Sequence, residues 1–211
     1  METINFLFGV HNHQPVGNFH HIFRDGFEQC YSPFLGVLES HPTIKISLHY
    51  SGPLLEWIID NHPSFFDRIR ALVVRGQVEI MGGGFYEPIF SMVPSDDFVG
   101  QLQLMKDFVR KFFDFEAEGI WLSERVWDPS IPKSVAPYGI KYTILDDTHF
   151  RFAGLPPHAM LGYYVTEREG FPLSIFPINK FLRYSIPFKA PEETIDYLIS
   201  LATKEGNVAI T

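Results

Sequence analysis

GIWLSERVW, residues Gly119 to Trp127, sets an apolar run directly against a polar group. Gly119 to Leu122 form a short apolar run, and the polar group Ser123-Glu124-Arg125 follows at once. An apolar run of this length, bounded so sharply, reads as a buried strand with its chemistry at the C-terminal end. The arrangement recurs along the chain. Ile4 to Val10 leads into His11-Asn12-His13-Gln14-Pro15, and Thr43 to His49 leads into Ser51. Gln77 to Met81 passes through Gly82-Gly83-Gly84 into Phe85-Tyr86-Glu87-Pro88, and Tyr142 to Leu145 leads into Asp146-Asp147-Thr148-His149.

Segments of helical spacing separate these runs: Glu28 to Glu39, Leu54 to Ile59, Phe65 to Val74, Asp96 to Phe113 with Ser95 as N-cap, and Ile131 to Pro137. Pro191 to Lys204 is a further helix, with Pro191 suited to its first turn, and Asn207 to Thr211 is a further strand. Strand–helix alternation predicts an α/β fold with a mainly parallel sheet of about six strands in one domain. Residues 148–188 break the rhythm. They are rich in Pro, Gly and aromatics and read as an insertion covering one end of the sheet. Within them, Tyr163 to Thr166 and Leu173 to Phe176 fit a hairpin across Glu169-Gly170. In parallel α/β barrels the active site lies at the C-terminal strand ends. Polar groups after five successive strands therefore describe one rim.

Charge narrows the partners. With 17 basic and 25 acidic residues the net charge is −8, which disfavours nucleic acid and anionic membrane and suits a neutral substrate. Cys30 is the only cysteine, so an internal disulfide and a cysteine metal cluster are excluded. The N-terminus lacks the basic and apolar regions of a signal peptide, and no stretch has the length of a membrane span, so the expected location is the cytoplasm. Of the 21 phenylalanines, most are expected to fill the core, although flat rings also stack on sugars.

Each polar group has two readings. His11 and His13 lie on one side of an extended segment; they suit a metal, but plain hydrogen bonding to a ligand is favoured. The three glycines fit no nucleotide fingerprint, and a tight turn that aims Glu87 is preferred to a phosphate loop. Glu124, between Trp121 and Trp127 and beside Arg125, is the leading nucleophile candidate. A neighbouring guanidinium favours an ionised carboxylate, whereas the alternative is a structural Glu124–Arg125 ion pair.

HNHQP (His11 to Pro15), GGGFYEP (Gly82 to Pro88), WLSERVW (Trp121 to Trp127) and YTILDD (Tyr142 to Asp147) resemble, in order, the motifs of glycoside hydrolase family 57, especially its 4-α-glucanotransferases and α-amylases. FLRYSIPF (Phe181 to Phe188) resembles the same subgroup. The resemblance implies a seven-stranded (β/α) barrel, of which this chain is an incomplete portion, acting on α-1,4-glucans or malto-oligosaccharides with retention and without a cofactor or metal. It implies that Glu124 is the nucleophile, that His11, His13 and Glu87 line the sugar site, and that Trp121 packs on the substrate. Asp146 and Asp147 correspond to aspartates at the mouth of strand five. Gln14, His49, Arg125 and Trp127 complete the expected substrate contacts.

The family's acid/base is an aspartate in a motif resembling DDGEKFG, after the next strand. Asn207 to Thr211 looks like that strand, so the acid/base is expected beyond Thr211, with Asp147 as the in-chain substitute. An incomplete sheet exposes edges that favour self-association into a homo-oligomer. Two alternatives stand beside the enzyme reading. One is a non-catalytic glucan-binding fragment. The other is a metal-dependent polysaccharide deacetylase using His11 and His13, against which the absence of a spaced His-x-x-x-His pair argues.

Overall fold

A computed structural model describes residues 2–211. The strands are β1 (Ile4–Leu7), β2 (Gly9–Asn12), β3 (Ile46–Tyr50), β4 (Val78–Ile80), β5 (Gly82–Gly83), β6 (Gly119–Trp121), β7 (Tyr142–Asp146), β8 (Tyr164–Arg168), β9 (Phe171–Ile178) and β10 (Asn207–Ile210). The α-helices are α1 (His20–Gly26), α2 (Ser32–Ser40), α3 (Gly52–Asn61), α4 (Ser64–Val74), α5 (Ser95–Phe113), α6 (Ile131–Val135), α7 (Asp147–Phe152), α8 (Lys180–Ser185) and α9 (Pro191–Ser200). No described helix is long and apolar enough to cross a membrane. The chain divides into two compact units, one of residues 10–124 and the other of residues 1–9 with 125–211.

In the 10–124 unit, β2 lies beside β3, and β3 runs parallel to β4 with Ile46 opposite Val78 and Leu48 opposite Ile80. β5 runs parallel to β6, with Gly83 opposite Trp121. Leu48, Leu54, Ile58, Phe65, Leu102 and Phe113 are fully buried here. Each such aliphatic or aromatic side chain removed from water contributes about 1.5–3 kcal/mol, which is what fixes the helices onto the strands. Helix ends are satisfied by side chains from neighbouring elements. Gln77 Nε2 donates to the Leu38 carbonyl at 2.8 Å and the His41 carbonyl at 3.0 Å, closing the end of α2, and Arg70 donates to the Phe112 carbonyl near the end of α5.

Several helix boundaries differ from the sequence reading; the last helix, for example, ends at Ser200 and not at Lys204. The helical run expected to start at Glu28 starts at His20 and passes through a π-helical turn over Phe27–Tyr31 before α2. Phe23, Phe27 and Tyr31 form its buried stripe, whereas the first turn ahead of Phe23 is exposed, Ile22 included. Ser95 is the first helical residue of α5 and not its cap; the flanking Pro94 supplies no side-chain bond. The acidic Asp96 and Asp97 in the first turn, with Arg110 and Lys111 in the last, complement the helix dipole instead.

In the other unit, β1 and β10 pair in parallel from Ile4–Asn207 to Leu7–Ile210. β7 and β9 pair in parallel from Tyr142–Ser174 to Asp146–Ile178, and β8 pairs antiparallel with β9 across the Glu169-Gly170 turn, both of whose residues have positive φ. The hairpin is thus present, but its second strand is not a covering element: β9 sits between β7 and β8 in the sheet. Pro172 and Pro177 bracket the four-residue strand that the sequence suggests, and both are accommodated inside an eight-residue one. Both units are α/β with parallel strand pairs.

Candidate functional site

The 10–124 unit gathers polar side chains at its strand ends. His11 lies in β2 and His13 just beyond it, and the alternation of an extended chain puts both on one side. His49 comes from β3, Trp121 ends β6, and Glu87 sits in the turn after β5. The His11 ring stacks on Trp121, with centroids 4.3 Å apart and planes 17° from parallel. Its Nδ1 lies 2.8 Å from Nδ1 of His49. Nδ1 of His13 lies 2.9 Å from Oε2 of Glu87, and Nε2 of His11 lies 3.7 Å from the same oxygen. Side-chain exposure falls from 41% at His13 to 25% at His11, 10% at Glu87 and 2% at His49, so the cluster runs from an open mouth to a sealed floor.

The GGGFYEP segment aims Glu87. Its N–H donates to the Gly84 carbonyl at 3.0 Å, and the Glu87 backbone is left-handed, with φ 52°. A Cβ on Gly84 would stand 2.7 Å from Pro88 Cδ and 2.9 Å from the Phe90 ring, so only glycine allows the turn to close. Burial first, then the Glu124 charge, pushes the Glu87 carboxyl up to about 8. Burial lowers His13, against an opposing pull from Glu124. At neutral pH the His13–Glu87 contact is therefore a hydrogen bond between uncharged groups, suited to sugar hydroxyls. Glu124 acts on both neighbours through its charge, which places it in electrostatic reach of the cluster.

Burial, then His11 and His13, holds His49 well below the ordinary histidine value of 6.5. Folding stability from this group is present above about pH 6.5 and is lost as pH falls, because the unfolded chain takes up the proton first. The urea midpoint of the native chain is expected to fall more steeply between about pH 6.5 and pH 5 than that of His49→Gln. Equal slopes would show that His49 titrates normally.

Glu124 is exposed and left-handed, with φ 51°, and Arg125 follows at φ 55°. Two successive positive-φ residues, neither of them glycine, are uncommon and must be held by their surroundings. In the 125–211 unit, Arg125 Nε donates to Asp146 Oδ2 at 2.9 Å, its carbonyl lies 3.1 Å from His149 Nε2, and Arg183 Nη1 donates to Asp146 Oδ1 at 2.7 Å. Both oxygens of Asp146 thus serve guanidinium groups, and Arg125 is anchored through its side chain and its backbone. The expected Glu124–Arg125 partnership gives way to Arg125–Asp146. Arg183 was not singled out as a site residue; its position in FLRYSIPF was the one available signal.

The remaining candidates are placed as follows. Gln14 is engaged at both ends of its amide, donating to the Tyr31 hydroxyl at 2.9 Å and accepting from Asn18 at 2.7 Å. Trp127 is half-buried. Asp147 opens α7 and lines a cavity of about 320 Å³ with His158, Lys180, Phe181 and Tyr197, all within the 125–211 unit.

The chain is 46% identical over 205 residues to a 4-alpha-glucanotransferase of Thermococcus litoralis, covering 97% of this chain and 31% of that protein. It is 47% identical over 210 residues to an alpha-amylase of Pyrococcus furiosus, covering 99% and 32% respectively. It therefore spans about a third of the length of these curated relatives. The crystal structure of 4-alpha-glucanotransferase from Thermococcus litoralis superposes with a TM-score of 0.96 at 45% identity, covering 99% of this chain and 33% of that one. With residues 7–211 matched by the Glycosyl hydrolase family 57 model, the chain belongs to that family.

Proposed function

We propose that this chain carries the nucleophile and sugar-binding face of a retaining enzyme that hydrolyses or transfers α-1,4-glucans. One observation carries the reading: an exposed carboxylate on a left-handed turn, Glu124, stands in electrostatic reach of an uncharged, hydrogen-bonding cluster backed by an indole. The names of the relatives, glucanotransferase and amylase, support the substrate class. The whole enzyme is proposed to be a seven-stranded (β/α) barrel.

A carboxylate oxygen of Glu124 attacks the anomeric carbon as the glycosidic C–O bond breaks, giving a glycosyl-enzyme. A second carboxyl group, about 5–5.5 Å from the first, gives its proton to the leaving oxygen. It then takes a proton from water or from a sugar hydroxyl as that oxygen attacks the anomeric carbon and the bond to Glu124 breaks, giving hydrolysis or transfer and freeing the carboxylate. The expected position of that acid follows β10; Asp147 is the in-chain substitute. His11, His13 and Glu87 hold the hydroxyls of the sugar ring, and Trp121 supplies an aromatic wall.

Maltoheptaose binding to the 211-residue chain tests the reading. Saturable binding is expected, weakened about 10-fold in Trp121→Ala by loss of aromatic contact. Absence of binding, with the chain shown to be folded, would remove the glucan assignment.

A further inference from the structure

The cluster that offers hydrogen bonds to a sugar also meets the geometric requirements of a transition-metal site. We propose that His11 Nε2, His13 Nδ1 and a carboxylate oxygen of Glu87, its proton released as the metal binds, hold one Zn²⁺ with its fourth position open, and that this ion inhibits by excluding the glucan. The binding claim stands on geometry alone; the exclusion claim rests on the function proposed above.

Three protein ligands of the His₂–carboxylate type with an open fourth position are a common zinc arrangement. Bonds of about 2.0–2.2 Å in a tetrahedron put ligand atoms about 3.3–3.5 Å apart. The His13–Glu87 and His11–Glu87 separations, 2.9 and 3.7 Å, bracket that value, and one ligand atom from each residue lies within 4.8 Å of the others. Both histidine–carboxylate edges are therefore near tetrahedral spacing, and closing the triad on an ion needs the two imidazoles, whose ligand atoms lie within 4.8 Å of each other, to swing together by up to about 1.5 Å.

The supports are already in place. Coordination through Nε2 leaves Nδ1 of His11 for its contact with Nδ1 of His49, 2.8 Å away. A ligating histidine whose other nitrogen is so engaged has its tautomer and ring orientation fixed. The stack on Trp121 holds the same ring from the side. Glu87 itself is nine-tenths buried, with its Oε2 turned to both histidines. Two imidazoles select Zn²⁺, Co²⁺ or Cu²⁺; Ca²⁺ and Mg²⁺ prefer all-oxygen sites.

The test uses the 211-residue chain after chelator treatment, titrated with ZnCl₂ by calorimetry and with CoCl₂ by visible absorption. One ion per chain is expected, with cobalt d–d bands of a four- or five-coordinate site, and no response to CaCl₂. His13→Ala and Glu87→Gln, checked for folding by circular dichroism, should each weaken binding more than the about 10–100-fold that loss of a supporting partner costs. His20→Ala, removing a histidine bonded to Trp57, should change nothing. No zinc binding, or binding indifferent to His13→Ala, overturns the site. Maltoheptaose binding is then measured with and without zinc. Displacement supports exclusion; undiminished glucan binding beside bound zinc overturns it. Glucan bound without any zinc binding sinks the metal proposal and leaves the glucan reading intact. Turnover abolished by chelator would make the ion a cofactor and overturn its inhibitory role.

Discussion

Glu124→Gln is expected to abolish glucan turnover while leaving glucan binding within a few-fold of native. The substitution keeps the shape of the side chain and replaces the anionic carboxylate by a neutral amide, which cannot serve as the nucleophile. Loss of a covalent nucleophile typically costs on the order of 10⁴-fold or more in kcat. The left-handed turn at residues 124 and 125 does not depend on the carboxylate, since Arg125 is held by Asp146 and His149. The unit's core also lies elsewhere, so stability should change little. The assay resolves malto-oligosaccharide products by length, in the protein at its full natural length, alongside calorimetric binding. A variant that turns over at native rate would remove Glu124 from the chemistry. A variant that loses binding as well would give it a structural role. If the native protein binds glucan and neither protein turns it over, the non-catalytic binding reading is the one that stands.

The second large effect is on folding. Gly52→Ala is expected to destabilise the chain by about 3 kcal/mol or more, at the upper end of what overpacking costs. A Cβ at Gly52 would lie 2.3 Å from both the carbonyl oxygen and Cδ1 of Phe85. Gly52 N–H donates to that same carbonyl at 2.7 Å, so the two backbones cannot separate without losing a buried bond. Phe85 begins the turn that aims Glu87, so any adjustment is passed to the His13–Glu87 contact. Gly100→Ala is the matched control. Gly100 lies inside α5, and a Cβ there meets nothing within 4 Å. Replacing a helical glycine by alanine should stabilise by up to about 1 kcal/mol. Denaturant unfolding of the three proteins decides the matter; similar midpoints would show that the Gly52–Phe85 approach is looser than the structure has it.

Local pattern carried much of this protein. The strands at Ile46–Tyr50, Gly119–Trp121 and Tyr142–Asp146 are short apolar runs with polar ends, and the stripe of α5 is plain in its spacing. Period and punctuation depend on neighbours in the chain, so they survive without a structure. Positions that break the pattern were misread. The helical run at His20 has a buried stripe of Phe23, Phe27 and Tyr31 that was available in the spacing, whereas β9 carries two prolines, and there tertiary packing overrode the local signal.

The site divides the same way. That His13, Glu87 and Glu124 follow strands, and that His11 and Trp121 lie at strand ends, is legible from the apolar runs they adjoin. Their partners were decided only by tertiary structure. Glu87 meets His13 from 74 positions away in the numbering, Asp146 takes two arginines instead of leaving Arg125 to Glu124, and Gly52 is pressed against Phe85. Those pairings set protonation, tautomer and strain. They depend on distances of a few ångströms between segments remote in sequence, and periodicity along a chain holds no information about them.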